Sequence, residues 1–138
     1  MRIAFGTDER TALTTGLVDQ LRREGHDVEE LADGSEWPEV GRAVGAAVAR
    51  GRADRGIVCC TTGTGVSIAA NKVPGVRAAL CVDAQIARGA RRWNDANVLA
   101  LSLALAEPAV AAEVVGAFLQ TPFDDREAGP VARLEQGT

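Results

Sequence analysis

The chain is poor in the residues that signal metal, disulfide or membrane chemistry. It has one histidine, His26, and no Cys-x-x-Cys pair, which argues against a zinc site. The three cysteines, Cys59, Cys60 and Cys81, have no framework spacing. Cys59 and Cys60 are adjacent, so in a strand they point to opposite faces and are poorly placed to bond each other. An odd cysteine count of this kind fits a reducing compartment, and a cytoplasmic protein is expected. No run is apolar for long enough to span a bilayer, and the opening Met1 to Arg10 lacks the apolar core of a signal peptide. Lys72 is the single lysine, and the net charge is −4, which argues against general nucleic-acid or membrane-surface binding. There is no repeat, no low-complexity block and no linker. What remains is a 138-residue chain, 46% hydrophobic and 25% charged, with the size and composition of one soluble domain spanning 1–138.

Within it, apolar runs alternate with helical periodicity. Ile3 to Gly6 reads as a strand that ends in the polar loop Thr7 to Thr11. Leu13, Leu17, Val18 and Leu21 then recur at helical spacing. Asp27 to Leu31 is a second short strand, and Trp37-Pro38 opens a second helix. Gly56 to Cys60 is a third strand, Val76 to Cys81 a fourth and Asn97 to Leu101 a fifth. Helices over Val82 to Arg92, with Ile86 inward, and over Glu107 to Leu119 follow the last two strands. Arg91 and Arg92 read as a solvated helix end, and Pro122 onward as a polar tail. This alternation predicts an α/β fold: a single three-layer αβα domain around a five-stranded parallel sheet in the Rossmann or flavodoxin-like order 2-1-3-4-5. In that order ligands bind beyond the C-terminal ends of strands one and three. The residues at those ends are Asp8 and Cys60.

The stretch Arg55 to Lys72 carries the strongest chemical signal. A buried strand ends in Cys59-Cys60, the turn Thr61-Thr62-Gly63-Thr64-Gly65 follows, and a helix begins near Val66. Such a turn aims several N–H groups at one point, and the helix dipole adds positive potential there. The point suits a phosphate, a carboxylate or an enediolate oxygen. A thiolate at its lip would be stabilised too. The plain alternative is a tight connection with two packed cysteines. No Gly-Lys-Ser/Thr follows, so the turn is not a P-loop.

At this point the residues resemble a known family, the ribose-5-phosphate isomerase type B and galactose-6-phosphate isomerase (LacA/LacB) family. The resemblance runs from Met1 to about Phe123. It is carried by Phe5-Gly6-Thr7-Asp8, by Cys60 through Lys72, by Val73-Pro74-Gly75-Val76-Arg77-Ala78-Ala79, and by Asn94-Asp95-Ala96-Asn97-Val98-Leu99. It implies aldose–ketose isomerisation through a cis-enediolate, with no cofactor and no metal. It also implies a homodimer or tetramer with active sites at the subunit interface, the tail from about 120 to 138 packing on a partner. By the resemblance Cys60 is the base, Thr62 assists near the ring oxygen and Asp8 holds sugar hydroxyls. Thr61, Gly63, Thr64 and Gly65 line the substrate, with Glu9, Trp93, Asn94 and Arg126 around it.

The departures bear on substrate. The family has His after the Asp, where this chain has Glu9. Its ring-opening His falls on Trp93, which fits either core filling or a stacking wall. A phosphate-site Arg falls on Ala104. In Phe123 to Val131 the family's arginine pattern keeps Arg126 and loses a later Arg to Pro130, with Arg133 a substitute under another alignment. Trp37 falls near the family's active-site Tyr-Pro. The expected function is therefore a cysteine-based aldose–ketose isomerase for a short, open-chain or non-phosphorylated sugar. The alternative is a non-catalytic or heteromeric subunit, like LacA or LacB, that binds sugar and needs a partner chain.

Overall fold

The computed structural model describes residues 1–136. The strands are β1 (Arg2–Thr7), β2 (Asp27–Glu30), β3 (Arg55–Cys60), β4 (Ala78–Leu80) and β5 (Val98–Ser102). The helices are α1 (Ala12–Arg23), α2 (Trp37–Ala49), α3 (Thr64–Asn71), α4 (Ala84–Asn94), α5 (Pro108–Gln120) and α6 (Ala128–Gln136), with a 3-10 turn over Asp125–Glu127 before α6.

All strand pairings are parallel, as alternating strands and helices demand. The three layers form because each sheet face carries its own apolar set. Phe5, Ile57, Cys59 and Leu99 face Leu17 and Leu21 of α1, Ala87 of α4 and Phe118 of α5. Ala4, Val58, Cys60 and Ala100 face Val40 and Val44 of α2 and Val66 of α3. Cys59 and Cys60 thus lie on opposite faces, and all three cysteines are free.

The strand order is 2-1-3-5-4, which corrects the expected 2-1-3-4-5. Every residue of β5 is buried, and it pairs with β3 on one side and β4 on the other. β4 has three residues, all half-exposed, so it takes the edge. The flavodoxin-like reversal between β1 and β3 survives, because the exchange occurs beyond it.

Three further expectations change. The tail, read from the sequence only as polar, contains a helix, since Pro130 stands in the first turn of α6, where a missing N–H is harmless. Ile86 is half-exposed instead of inward; Ala87 and Ala90 are the buried positions of α4. Arg91 is 3% exposed, not solvated. It donates to Asp95 Oδ1 at 2.9 Å, Ala96 O at 2.6 Å and Thr121 O at 3.3 Å, with its guanidinium 5.9 Å from the Phe118 ring centre. A satisfied arginine of this kind ties the end of α4 to the end of α5. Among the described residues no helix is long and apolar enough to cross a membrane.

Candidate active site

In a parallel sheet all strands end on one side, and five loops leave from there. The pairing of Thr7 with Cys59 places Asp8 beside Cys60, one strand spacing of about 4.8 Å away. The Asp8 amide donates to Cys59 O at 3.3 Å, which holds the loop against β3. The period of two then puts Asp8 and Cys60 on the same sheet face, the one covered by α2 and α3.

Cys60 keeps 5% of its surface exposed, at the floor of this end. Asp8 Oδ1 is buried and has no hydrogen-bond partner. Burial raises the Asp8 carboxyl above the usual carboxylate range, and Glu9 next to it adds to the rise. An orphaned carboxylate oxygen is expensive unless something donates to it, so the position is suited to a ligand hydroxyl. Thr7 shapes the loop from below: its buried hydroxyl donates to Glu9 O at 2.7 Å and accepts from the Glu9 amide at 3.3 Å.

The 61–65 turn is rigid where it meets the sheet. Thr61 O accepts from Ser102 Oγ at 2.9 Å and from the Ala104 amide at 3.0 Å. Gly63 is the N-cap of α3 with φ +77°, a conformation glycine adopts without strain. A Cβ there would sit 2.6 Å from Leu80 Cδ1 and 2.9 Å from the Leu101 carbonyl carbon. Thr62 and Thr64 share a hydroxyl hydrogen bond of 2.7 Å. The amides of Thr64, Gly65 and Val66 open the helix, where no intrahelical acceptor exists. This is the helix N-terminus at which the sequence reading expects an anion, with the Thr64 amide directed to Thr62 Oγ1 at 3.4 Å.

Trp37 forms the wall. A Cβ on Gly65 would lie 2.9 Å from Trp37 Cδ2, so only glycine lets the indole close on the turn. Trp37 also borders an open polar crevice with Asp8, Gly34, Ser35 and Glu36. Ser35, Glu36 and Thr7 were not among the sequence-predicted residues. Their signal is positional: each lies in or against a loop leaving a strand's C-terminal end.

The predicted residues thus fall into two groups. Asp8, Glu9, Cys60, Thr61, Thr62, Gly63, Thr64 and Gly65 are together. Trp93, Asn94 and Arg126 are at the other end of the sheet, where α4 finishes and β5 begins. Trp93 is 54% exposed and packs over Gly89, which excludes core filling. Arg126 is held by Asp124 through contacts of 2.8 to 3.2 Å. Within one chain these three residues do not reach Cys60. His26 is also at that far end, between α1 and β2. Among the described residues no group of three or more His, Cys, Asp or Glu is placed to hold a metal.

The chain is similar to proteins of known family. Residues 3–135 match the ribose/galactose isomerase family. D-erythrulose-4-phosphate isomerase of Pectobacterium atrosepticum is 35% identical over 136 residues, spanning 94% of this chain and 90% of that protein. Ribose-5-phosphate isomerase B of Escherichia coli is 35% identical over 128 residues, spanning 89% and 86%. The solved structure of ribose-5-phosphate isomerase B from Clostridium thermocellum superposes with a TM-score of 0.94 at 37% identity, covering 99% of this chain and 96% of that one. The chain belongs to the ribose/galactose isomerase family and is an aldose–ketose sugar-phosphate isomerase.

Proposed function

We propose that the protein interconverts a four-carbon ketose phosphate and its aldose, D-erythrulose 4-phosphate being the favoured candidate, in sites completed by a second copy of the chain. The observation that carries the reading is the crevice itself: a barely exposed thiol on the same face as an unpartnered buried carboxylate oxygen, at the open N-terminus of α3.

The reaction needs a base at carbon, a place for negative charge and a hold on the hydroxyls. Cys60 as thiolate takes the proton from C1 of the ketose, and the C1–H electron pair becomes the C1–C2 double bond of a cis-enediolate. The amides of the 62–65 turn and the dipole of α3 stabilise the oxygen at C2. The thiol returns the proton to C2, the O1 hydroxyl proton passes to O2, and the O1–H electron pair becomes the C1=O bond of the aldose. Asp8 Oδ1 accepts a substrate hydroxyl and so satisfies its own buried lone pairs. Thr62 orders the reacting oxygens together with Thr61, Gly63, Thr64 and Gly65.

Substrate length follows from Trp93. A ring-closed aldose needs an acid and a base at its ring oxygen and anomeric hydroxyl, and indole is neither at neutral pH. A sugar phosphorylated on O4 with four carbons cannot close a furanose or pyranose, so it avoids the step. The D-erythrulose-4-phosphate isomerase among the relatives supports the same length. Trp93 and Asn94, exposed and far from their own Cys60, are then free to close the site of a partner.

Deuterium exchange tests this chemistry apart from net turnover. In deuterated water the protein should label C1 of D-erythrulose 4-phosphate, and Cys60→Ser should abolish the label while Cys59→Ser retains it. Equal exchange by both variants would remove Cys60 from the mechanism.

A further inference from the structure

We propose that Arg10 is the residue that binds the substrate's phosphate, and that Asp33 holds its guanidinium until the phosphate arrives. This rests on the reading above that the substrate is phosphorylated.

Positive charge is scarce at the C-terminal ends of the strands. The chain has 15 Lys and Arg residues. The loops leaving the strand C-termini are 8–11, 31–36, 61–63, 81–83 and 103–107, and Arg10 is the one Lys or Arg in any of them. The first turns of α2, α3, α4 and α5, which rise from those loops, add none. Acids are plentiful on the same side: Asp8, Glu9, Asp33, Glu36, Asp83 and Glu107. Among this chain's own charged side chains at that end, a dianionic phosphate meets one cation, Arg10, beside the positive potential at the N-terminus of α3.

Arg10 is in the right place to offset it. Its guanidinium pairs with Asp33, on the loop after β2. The next amide, that of Gly34, donates to Thr7 O at 3.0 Å, so this loop is tied to the end of β1. Gly34 borders the same crevice as Asp8. The ion pair therefore joins the two loops, after β1 and after β2, that carry the crevice residues Asp8 and Gly34. Its Arg side chain is 67% exposed, against 20% for Asp33. An exposed pair of this kind is weakly held. A phosphate accepts a bidentate, doubly charged contact that is stronger, so exchange from Asp33 to phosphate is downhill. Arg126 of the same chain is at the other end of the sheet, paired with Asp124, so it could meet this phosphate only from a second copy, whereas Arg10 belongs to the chain that carries Cys60.

The test compares Arg10→Gln, Arg10→Lys and Asp33→Asn with the wild-type protein. Two readouts are used: steady-state kinetics with D-erythrulose 4-phosphate, and calorimetric binding of inorganic phosphate. Arg10→Gln should raise KM about 10–100-fold, the loss of one charge-assisted contact, with kcat within about twofold. It should weaken phosphate binding in parallel. Arg10→Lys should recover part of the affinity, and Asp33→Asn should tighten phosphate binding by releasing the arginine. An unchanged KM and unchanged phosphate affinity in Arg10→Gln would overturn the assignment, as would a fall in kcat without a rise in KM. The two proposals fail separately. If the wild-type protein turns over no four-carbon sugar phosphate, the substrate reading falls. Calorimetry then still decides Arg10: loss of phosphate binding in Arg10→Gln supports it. Absent wild-type binding, or binding that ignores the substitution, sinks it.

Discussion

Cys59 faces the cluster beneath α1, α4 and α5 with no exposed surface, while Cys60 faces α2 and α3 at the crevice. Burial pushes the Cys59 thiol far above its ordinary range and pushes Cys81 up to about 11, with Asp83 adding to the second shift. Cys81 therefore binds its proton more tightly folded than unfolded. Its contribution to stability is whole below its unfolded pKa near 9.0 and is lost as pH rises through about 11. Cys81→Ala should flatten the alkaline fall of the thermal midpoint between those values, and an unaltered slope would show that another group governs it. Asp8 has the same sign at the acidic end, because its carboxyl is also raised. Its contribution is whole below the usual carboxylate range and is lost as pH rises through the raised folded value. Asp8→Asn should therefore raise the thermal midpoint at neutral pH while impairing turnover, and the stabilisation should vanish in acid. A lower midpoint at neutral pH would mean that the carboxylate has a folded-state partner. Asp8 and Cys60 were legible in the sequence because each ends a strand in a recognisable motif. Arg91 was not: a basic residue in the last turn of a helix reads as solvated until α5 is seen to close over it.

At the scale of elements, the turn between β3 and α3 is the most constrained part of the chain. Gly63→Ala combines a left-handed backbone with a Cβ 2.6 Å from Leu80 Cδ1. It should destabilise the fold by on the order of 1–3 kcal/mol and displace the donor amides. Chemical denaturation with activity measured alongside checks both, and a variant as stable and active as wild type would show that the turn is adaptable. The sheet itself shows what periodicity conveys and what it omits. Each strand announces itself by its apolar run, but right-handed crossovers allow β5 to land on either side of β4. The deciding features were length and continuity: Val98 to Ser102 is fully buried, whereas β4 is cut short after the Val73-Pro74-Gly75 break. Leu99→Ala, in a central strand, should cost about 2–5 kcal/mol, and Leu80→Ala at the edge should cost less. The helical tail was missed for a different reason: Gly129-Pro130 is a breaker in a helix interior and acceptable in a first turn.

For the whole molecule, the separation of Cys60 from Trp93 and Asn94 leads to a proposal about assembly. Within the chain α6 has no buried residue, and its Glu135 carboxylate meets Arg77, just before β4, at 2.6 Å. A nine-residue helix is marginal alone, so we propose that it packs on the partner. Complementation reads this directly. Cys60→Ser and Asn94→Ala should each be nearly inactive. Mixed and allowed to exchange subunits, they should regain activity, since one site of each mixed dimer receives neither substitution. No recovery, with exchange shown independently, would place each site within one chain. The central claim, that the chain isomerises an open-chain four-carbon sugar phosphate, is tested most directly by steady-state kcat/KM on D-erythrulose 4-phosphate and ribose 5-phosphate, for the wild-type protein and Trp93→His. The account predicts a preference for the four-carbon substrate of at least about 100-fold, the scale on which removal of a general acid–base group acts, and a narrower gap in Trp93→His. Equal or better turnover of ribose 5-phosphate by the wild-type protein would contradict it.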